Sequence, residues 1–165
     1  MSNDANINQP NIIKQYLTFN LAGEMYGVEI LKVQEIRGWE PVRIIPNTPE
    51  YIKGALNLRG EIVPIIDLRV RFSMENTEYT PVTVVIVLCV ETESGSNIMG
   101  VVADAVSDVL DINLNEIKDK PNLGAKIDTY FMRGMYVTKE HMIMLLDIDK
   151  LLNPDDFEGI SALLP

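Results

Sequence analysis

Cysteine occurs once in this chain, at Cys89, inside the apolar run Val84-Val85-Ile86-Val87-Leu88-Cys89-Val90, so no intramolecular disulfide can form. A reducing compartment fits that usage best, and a thiol among aliphatics acts as a small hydrophobe rather than a nucleophile. Histidine also occurs once, at His141. Any Ser-His-Asp or Cys-His centre would have to use it, yet it falls in a hairpin turn, where a solvated residue is expected rather than a general base. The phosphate loop Gly-x-x-x-x-Gly-Lys-Ser/Thr, the dinucleotide motif Gly-x-Gly-x-x-Gly, the zinc motif His-Glu-x-x-His and a nucleophile elbow are all missing. Basic residues are few, 14 against 24 acidic, and the formal charge of -10 repels nucleic acid and anionic lipid. No apolar stretch approaches the ~20 residues that span a bilayer, and Met1 to Pro10 lacks the basic and apolar regions of a signal peptide. The chain reads as cytoplasmic, with no membrane insertion, no cofactor, no catalytic residues and a loose polar N-terminal tail.

What is present is enough apolar residue, 47% of 165, to build a packed core. From Tyr16 the chain alternates, Leu17, Phe19 and Leu21 on one side and Tyr16, Thr18 and Asn20 on the other, which predicts a half-buried strand. Ala22-Gly23-Glu24 turns it back into Met25 to Val33. Thr48-Pro49-Glu50-Tyr51-Ile52-Lys53-Gly54 carries an N-cap, a first-turn proline and a terminal glycine, and predicts one or two helical turns. Leu56 and Leu58 alternate toward a hairpin tip at Arg59-Gly60-Glu61, with Ile62 to Asp67 returning. Pro64 lacks a ladder donor and predicts an edge or a bulge. Strands over 82–90 and 98–110 follow, then a hairpin pairing 131–137 with 142–146, and a short helix from Asp147 to Leu152.

The two halves resemble one another. Tyr26-Gly27-Val28 matches Met99-Gly100-Val101, and Val33, Glu35 and Ile36 match Val106, Asp108 and Val109. Leu58-Arg59-Gly60 matches Met132-Arg133-Gly134, and Ile65-Ile66-Asp67-Leu68 matches Leu145-Leu146-Asp147-Ile148. Matched order at several anchors predicts a duplicated five-stranded unit, too short to bury enough apolar surface alone, so that the copies share one core.

No residue carries a convincing catalytic or metal-binding pattern. Asp104, Asp108 and Asp111 read as solvated acids on a strand face, and Asp67 as the cap of the turn that follows its strand. Arg59, at a glycine hairpin tip, is either solvated or an interface anchor, since its planar fork is frequent at hot spots. Val33, Glu35 and Ile36 suit a groove lip and a core edge equally.

Lys32-Val33-Gln34-Glu35-Ile36-Arg37-Gly38, Asn47-Thr48-Pro49, Ile52-Lys53-Gly54, Asn57-Leu58-Arg59-Gly60, Ile62-Val63-Pro64-Ile65, Asp67-Leu68-Arg69 and Val106-Ser107-Asp108-Val109-Leu110 together resemble the CheW family of chemotaxis coupling proteins. The similarity runs from about Tyr16 to Asn153. It implies an all-β fold of two intertwined SH3-like five-stranded β-barrels around a shared hydrophobic core, with short helices. The corresponding layout is a flexible tail over 1–14, a CheW-like domain over 15–153 and a C-terminal tail over 154–165. Within the domain, a first barrel is expected over about 15–80, a second over about 81–146 and a helix over about 147–153.

The resemblance further implies a non-catalytic adaptor, monomeric in isolation, that links chemoreceptors (methyl-accepting chemotaxis proteins) to the histidine kinase CheA and is recruited to receptor arrays. The receptor's cytoplasmic hairpin would meet Val33, Glu35, Ile36, Arg59, Val84 and Val109. The kinase regulatory domain would meet Lys118, Asn122 and Leu123 in the loop Ile117-Lys118-Asp119-Lys120-Pro121-Asn122-Leu123, where relatives often carry arginine and phenylalanine in place of Lys118 and Leu123. A paralogous adaptor for a non-motility pathway is the alternative, and a small-ligand or metal sensor a more distant one.

Overall fold

A computed structural model describes residues 12–74, 78–92, 95–119 and 129–152. Among these residues ten strands run in the order β1 (Ile13–Leu21), β2 (Glu24–Glu29), β3 (Val33–Gly38), β4 (Ile52–Leu58), β5 (Glu61–Asp67), β6 (Val84–Thr92), β7 (Gly95–Ala103), β8 (Ala105–Asn113), β9 (Met132–Val137) and β10 (Met142–Leu146). Two single-turn helices, α1 (Leu68–Arg71) and α2 (Ile148–Leu151), follow β5 and β10. Each is capped by an aspartate: Asp67 accepts from the Arg69 N–H and Asp147 from the Lys150 N–H.

The strands form two five-stranded sheets, β8-β1-β2-β10-β9 and β3-β6-β7-β5-β4. The duplication is exact in its pairing pattern. Antiparallel β1–β2 corresponds to β6–β7, and antiparallel β1–β8 to β6–β3. Parallel β2–β10 likewise corresponds to β7–β5. Each sheet therefore combines the first two strands of one copy, β1 and β2 or β6 and β7, with the last three strands of the other. The partition into a first barrel over 15–80 and a second over 81–146 does not follow the sheets: β1 and β2 join β8, β9 and β10. Neither sheet closes as a continuous barrel. After β3 the chain crosses to a single bridge, Arg43 with Ala55 on β4, and after β8 to another, Lys118 with Met135 on β9.

Several local expectations change for tertiary reasons. The segment from Thr48 is a turn rather than a helix, closed by the Ile52 N–H on the Pro49 carbonyl, while the Thr48 hydroxyl donates back to Ile45. Gly54 belongs to β4 and not to a helix end; a Cβ there would collide with the Arg43 carbonyl of the bridging segment. Gly134 in β9 stands in the same relation to the Lys118 carbonyl, at 2.5 Å. The true counterpart of Met132-Arg133-Gly134 is thus Ile52-Lys53-Gly54, and the matching of Leu58-Arg59-Gly60 to it is out of register. Arg59 and Gly60 do form the hairpin tip, with φ of 51° and 90° and the Gly60 N–H on Asn57.

Pro64 lies on β5, which is flanked by β7 and β4 and is not an edge. It faces Ala55, whose N–H and C=O both turn away to Arg43, so the pair is a non-hydrogen-bonded one and needs no proline donor there. The apolar stretch over 98–110 is two strands, broken at Asp104. β1 begins at Ile13, inside the tail expected over 1–14, because Ile13, Lys14 and Gln15 pair with distant Asn113, Ile112 and Asp111.

Among the described residues the core has three parts. The largest lies between the sheets and takes Leu17, Phe19, Val28, Ile66, Ile86, Leu88, Val101 and Leu146 among others. Alternate residues of the same strands supply a smaller cluster on the opposite face of each sheet: Val63, Ile65, Val85, Val87 and Val102 in one, Tyr16, Ile112, Ile143 and Leu145 in the other. Trp39 and Val42 cover the first and Leu114 and Ile117 the second, which is why the chain crosses there.

Candidate partner-binding surfaces

β3 and β8 are terminal strands of their respective sheets and occupy equivalent places in the duplication. On β3, Val33 lies opposite Leu88 and Ile36 opposite Ile86. Directly opposed residues share a face. Val33 and Ile36 therefore point to the side of the shared core, as does Val84, two residues before Ile86. Val109 on β8 lies opposite Leu17 and points the same way. Val33 and Val84 are half-buried against that core, whereas Ile36 stays 42% and Val109 47% exposed.

Glu35 points elsewhere. A bulge between Val33 and Glu35 reverses the alternation, so that Glu35 lies opposite Val87 and shares the face of the smaller cluster. There the hairpin tip brings Arg59 Nη2 to 2.9 Å from Glu35 Oε1, with the arginine side chain 79% exposed. The pair stands over a cleft of about 230 Å³ floored by Leu58, Val63, Val87 and Ile98. The six residues expected on one receptor surface thus divide into an apolar four on one side of the sheets and a charged pair on the other side of β3.

Of the residues expected at the kinase contact, Lys118 is exposed, and its backbone exchanges hydrogen bonds with Met135 at 2.8 and 2.9 Å. Asn122 and Leu123 lie outside the described residues.

Two ionic clusters escaped the sequence reading. In the first, Arg69 is 1% exposed and donates to both Asp67 carboxylate oxygens, to Asp104 at 2.7 Å and to the Glu78 carbonyl at 2.6 Å. The Tyr79 hydroxyl completes it with a 2.8 Å bond to Asp67, its ring stacked on Trp39 at 4.3 Å. Burial pushes the Asp67 pKa up, but hydrogen bonds from Arg69 and Tyr79 and the Arg69 charge outweigh it and leave the carboxyl below its usual value. Burial and the Asp67 carboxylate push the Tyr79 phenol up. In the second cluster, Lys32 Nζ lies 3.1 Å from Asp149, which also accepts the Glu91 N–H at 2.9 Å. Only the cap at Asp67 had a local signal; its other partners come from distant segments.

The three acids read as solvated residues of one strand face have separate surroundings. Asp104 binds Arg69 and the Ala22 N–H, Asp111 accepts from Gln15, and the Asp108 backbone is held by the Thr18 hydroxyl at 3.0 Å in both directions. Among the described residues no group of three or more His, Cys, Asp or Glu could hold a metal ion, and no helix is long and apolar enough to cross a membrane. His141 is an exposed turn residue whose N–H donates to the Thr138 hydroxyl.

Comparison with known proteins agrees with this geometry over nearly the whole chain. Residues 15–155 match the family model described as CheW-like domain. Chemotaxis protein CheW of Klebsiella aerogenes is 46% identical over 143 residues, covering 87% of this chain and 84% of the relative. Chemotaxis protein CheW of Rhizobium meliloti is 32% identical over 146 residues, covering 88% and 92%. The crystal structure of scaffolding protein TtCheW from Thermoanaerobacter tengcongensis superposes with a TM-score of 0.75 at 34% identity, covering 88% of this chain and 90% of that one.

Proposed function

The chain belongs to the CheW-like family, and on that premise we propose that it is a chemotaxis coupling adaptor, a scaffold that works by binding rather than by catalysis. Its partners in this reading are the cytoplasmic hairpin of a chemoreceptor and the regulatory domain of the kinase CheA. It acts in the cytoplasm, monomeric when isolated, and is recruited to membrane-associated receptor arrays.

The observation that carries the reading in the structure is the exposure of Ile36 and Val109, equivalent residues on the terminal strands β3 and β8, both on the shared-core side. An amphipathic helical hairpin is recognised by such apolar positions flanked by a few charges. Val33 and Val84 lie half-buried on the same side, and Glu35 with Arg59 supplies charge on the opposite face of β3. Lys118, Asn122 and Leu123 are assigned to the kinase contact, with the lysine ammonium acting as a point charge in place of the planar guanidinium that the family resemblance leads one to expect. A moderate affinity at each contact suffices, because an array adds avidity through multivalency.

The test is binding of the purified chain to a receptor cytoplasmic fragment and, separately, to the kinase regulatory domain. Both should bind, and Val109→Arg should lose the receptor fragment while keeping the kinase domain. Binding to neither partner would overturn the adaptor reading.

A further inference from the structure

β3 is six residues long, paired on one side only, and its ladder with β6 is broken by the bulge next to its first residue. Val33 with Leu88 is the last rung at that end. Immediately before it, in the 3-10 turn Ile30–Lys32, Lys32 reaches both carboxylate oxygens of Asp149, at 3.1 and 3.3 Å. Asp149 Oδ1 also accepts the N–H of Glu91, which lies three residues beyond Leu88 on β6. One carboxylate on α2 therefore ties the start of β3 to the strand it pairs with, past the point where backbone pairing ends. α2 itself is fixed by the Asp147 cap and by buried Ile148 and Leu151.

The other copy repeats the construction with the charges exchanged. Arg69 on α1 occupies the place of Asp149, each two residues after its capping aspartate. It pairs with Asp104, directly before β8, and Asp104 Oδ2 accepts the N–H of Ala22 just past β1, the strand that pairs with β8. Recurrence with inverted polarity points to a requirement for the tie rather than for either charge. The two ties differ in strength. Arg69 is 1% exposed and bound to several groups, whereas Lys32 and Asp149 are 24% and 35% exposed and depend on one another. Burial lowers the Lys32 pKa, but Asp149, Glu91 and Glu29 together hold it above its usual value, so the ammonium stays charged.

We infer that Lys32 and Asp149 are a positioning pair for partner binding: they hold the start of β3, and with it Val33, Glu35 and Ile36, in the attitude that engages the receptor, while β8 is held rigidly by the buried Arg69 network. The assignment of β3 to the receptor rests on the adaptor reading above. β3 is then the adjustable lip of the surface, sensitive to ionic strength in a way that β8 is not.

The experiment measures amide hydrogen exchange in β3 and β8 of the full chain, together with affinity for a receptor cytoplasmic fragment, in wild type, Lys32→Met, Asp149→Asn and the double variant. Each single variant should lower protection of the Glu35 and Arg37 amides, which face β6, by about threefold, the scale of a partly exposed ion pair, with the double variant no worse than either. β8 protection should stay constant, and affinity for the fragment should fall in parallel with β3 protection. Added salt should reproduce the β3 effect in wild type alone. Equal loss of protection in β3 and β8 would mark the pair as merely structural, and additive single effects would mean the two side chains do not act together; either overturns the inference. If wild type binds the fragment and the variants bind it equally well, the positioning role falls while the adaptor reading stands. If wild type binds no fragment, the adaptor reading falls and this role with it.

Discussion

Arg59 Nη2 sits 2.9 Å from Glu35 Oε1, so the two charged residues expected to contact a receptor contact each other. A pair this exposed contributes little to folding, typically 0.2 to about 1 kcal/mol, because solvent screens it. Arg59→Ala and Glu35→Ala should therefore leave the melting temperature nearly unchanged while each weakens receptor-fragment binding by roughly 1 to 3 kcal/mol, the range of an interface hot spot. Calorimetry of both single variants and the double variant decides it. Wild-type affinity in both single variants would remove the pair from the interface.

Glycine is demanded where the two copies cross. A Cβ on Gly100 would lie 2.6 Å from Ile65 Cδ1 and 2.8 Å from Val85 Cγ1, whereas on Gly27 the nearest atom would be Leu145 Cδ2 at 3.0 Å. Gly54 is tighter still, facing the Arg43 backbone with φ of +148°. Side chains yield more readily than backbone, so the alanine variants should rank Gly54→Ala most destabilised, then Gly100→Ala, then Gly27→Ala, with overpacking costing about 1 to 3 kcal/mol at Gly100. Urea denaturation gives the order directly.

Hairpins were the legible part of the fold because their signals are local. Arg59-Gly60 and Thr138 to His141 each join two apolar-rich runs, and the Asp67 cap sits directly after its strand. The duplication was legible too, but not the exchange of strands between copies, since parallel pairing of β2 with β10 links residues more than a hundred positions apart and leaves no local pattern. Thr48-Pro49 misled for the opposite reason: its capping pattern is genuine local chemistry, overridden once Gly54 is needed beneath Arg43. At the candidate surface, the residues were identifiable one by one. Their division between two faces was not, because it follows from a single bulge at Val33 and Glu35.

Arg69 is the most consequential buried charge among the described residues. Replacing it with methionine would leave Asp67, which is 0% exposed, without its principal partner, and breaking a buried pair in this way costs about 3 to 5 kcal/mol. Arg69→Lys should recover only part of the loss, since one ammonium cannot reach both oxygens of Asp67 together with Asp104 and the Glu78 carbonyl. Chemical denaturation of the two variants should show this order.

The same cluster sets a pH dependence. The Asp67 pKa is lowered in the folded protein from an ordinary value of 3.8, so the folded state favours the ionised form. A depressed carboxylate adds stability above its unfolded pKa and loses it as pH falls through the folded one. The melting-temperature gap between wild type and Asp67→Asn should accordingly be constant above about pH 5 and narrow below about pH 4. A gap that widens on acidification would mean that Asp67 is not held ionised by Arg69.

Ile36 and Val109 provide the sharpest separation of binding from folding. Both are equivalent under the duplication and both are exposed, at 42% and 47%, so neither is needed to fill the core. Surface substitutions of this kind usually change stability by no more than about 0.5 kcal/mol. If a receptor hairpin spans both terminal strands, Ile36→Asp and Val109→Asp should each impair binding with melting temperature preserved. The double variant should then be impaired by about the sum of the two single losses, because separate contacts to one partner add. Two separate partners, one on each strand, would instead give each variant its own binding defect against a different protein, and titrating receptor fragment and kinase regulatory domain against both variants distinguishes the cases.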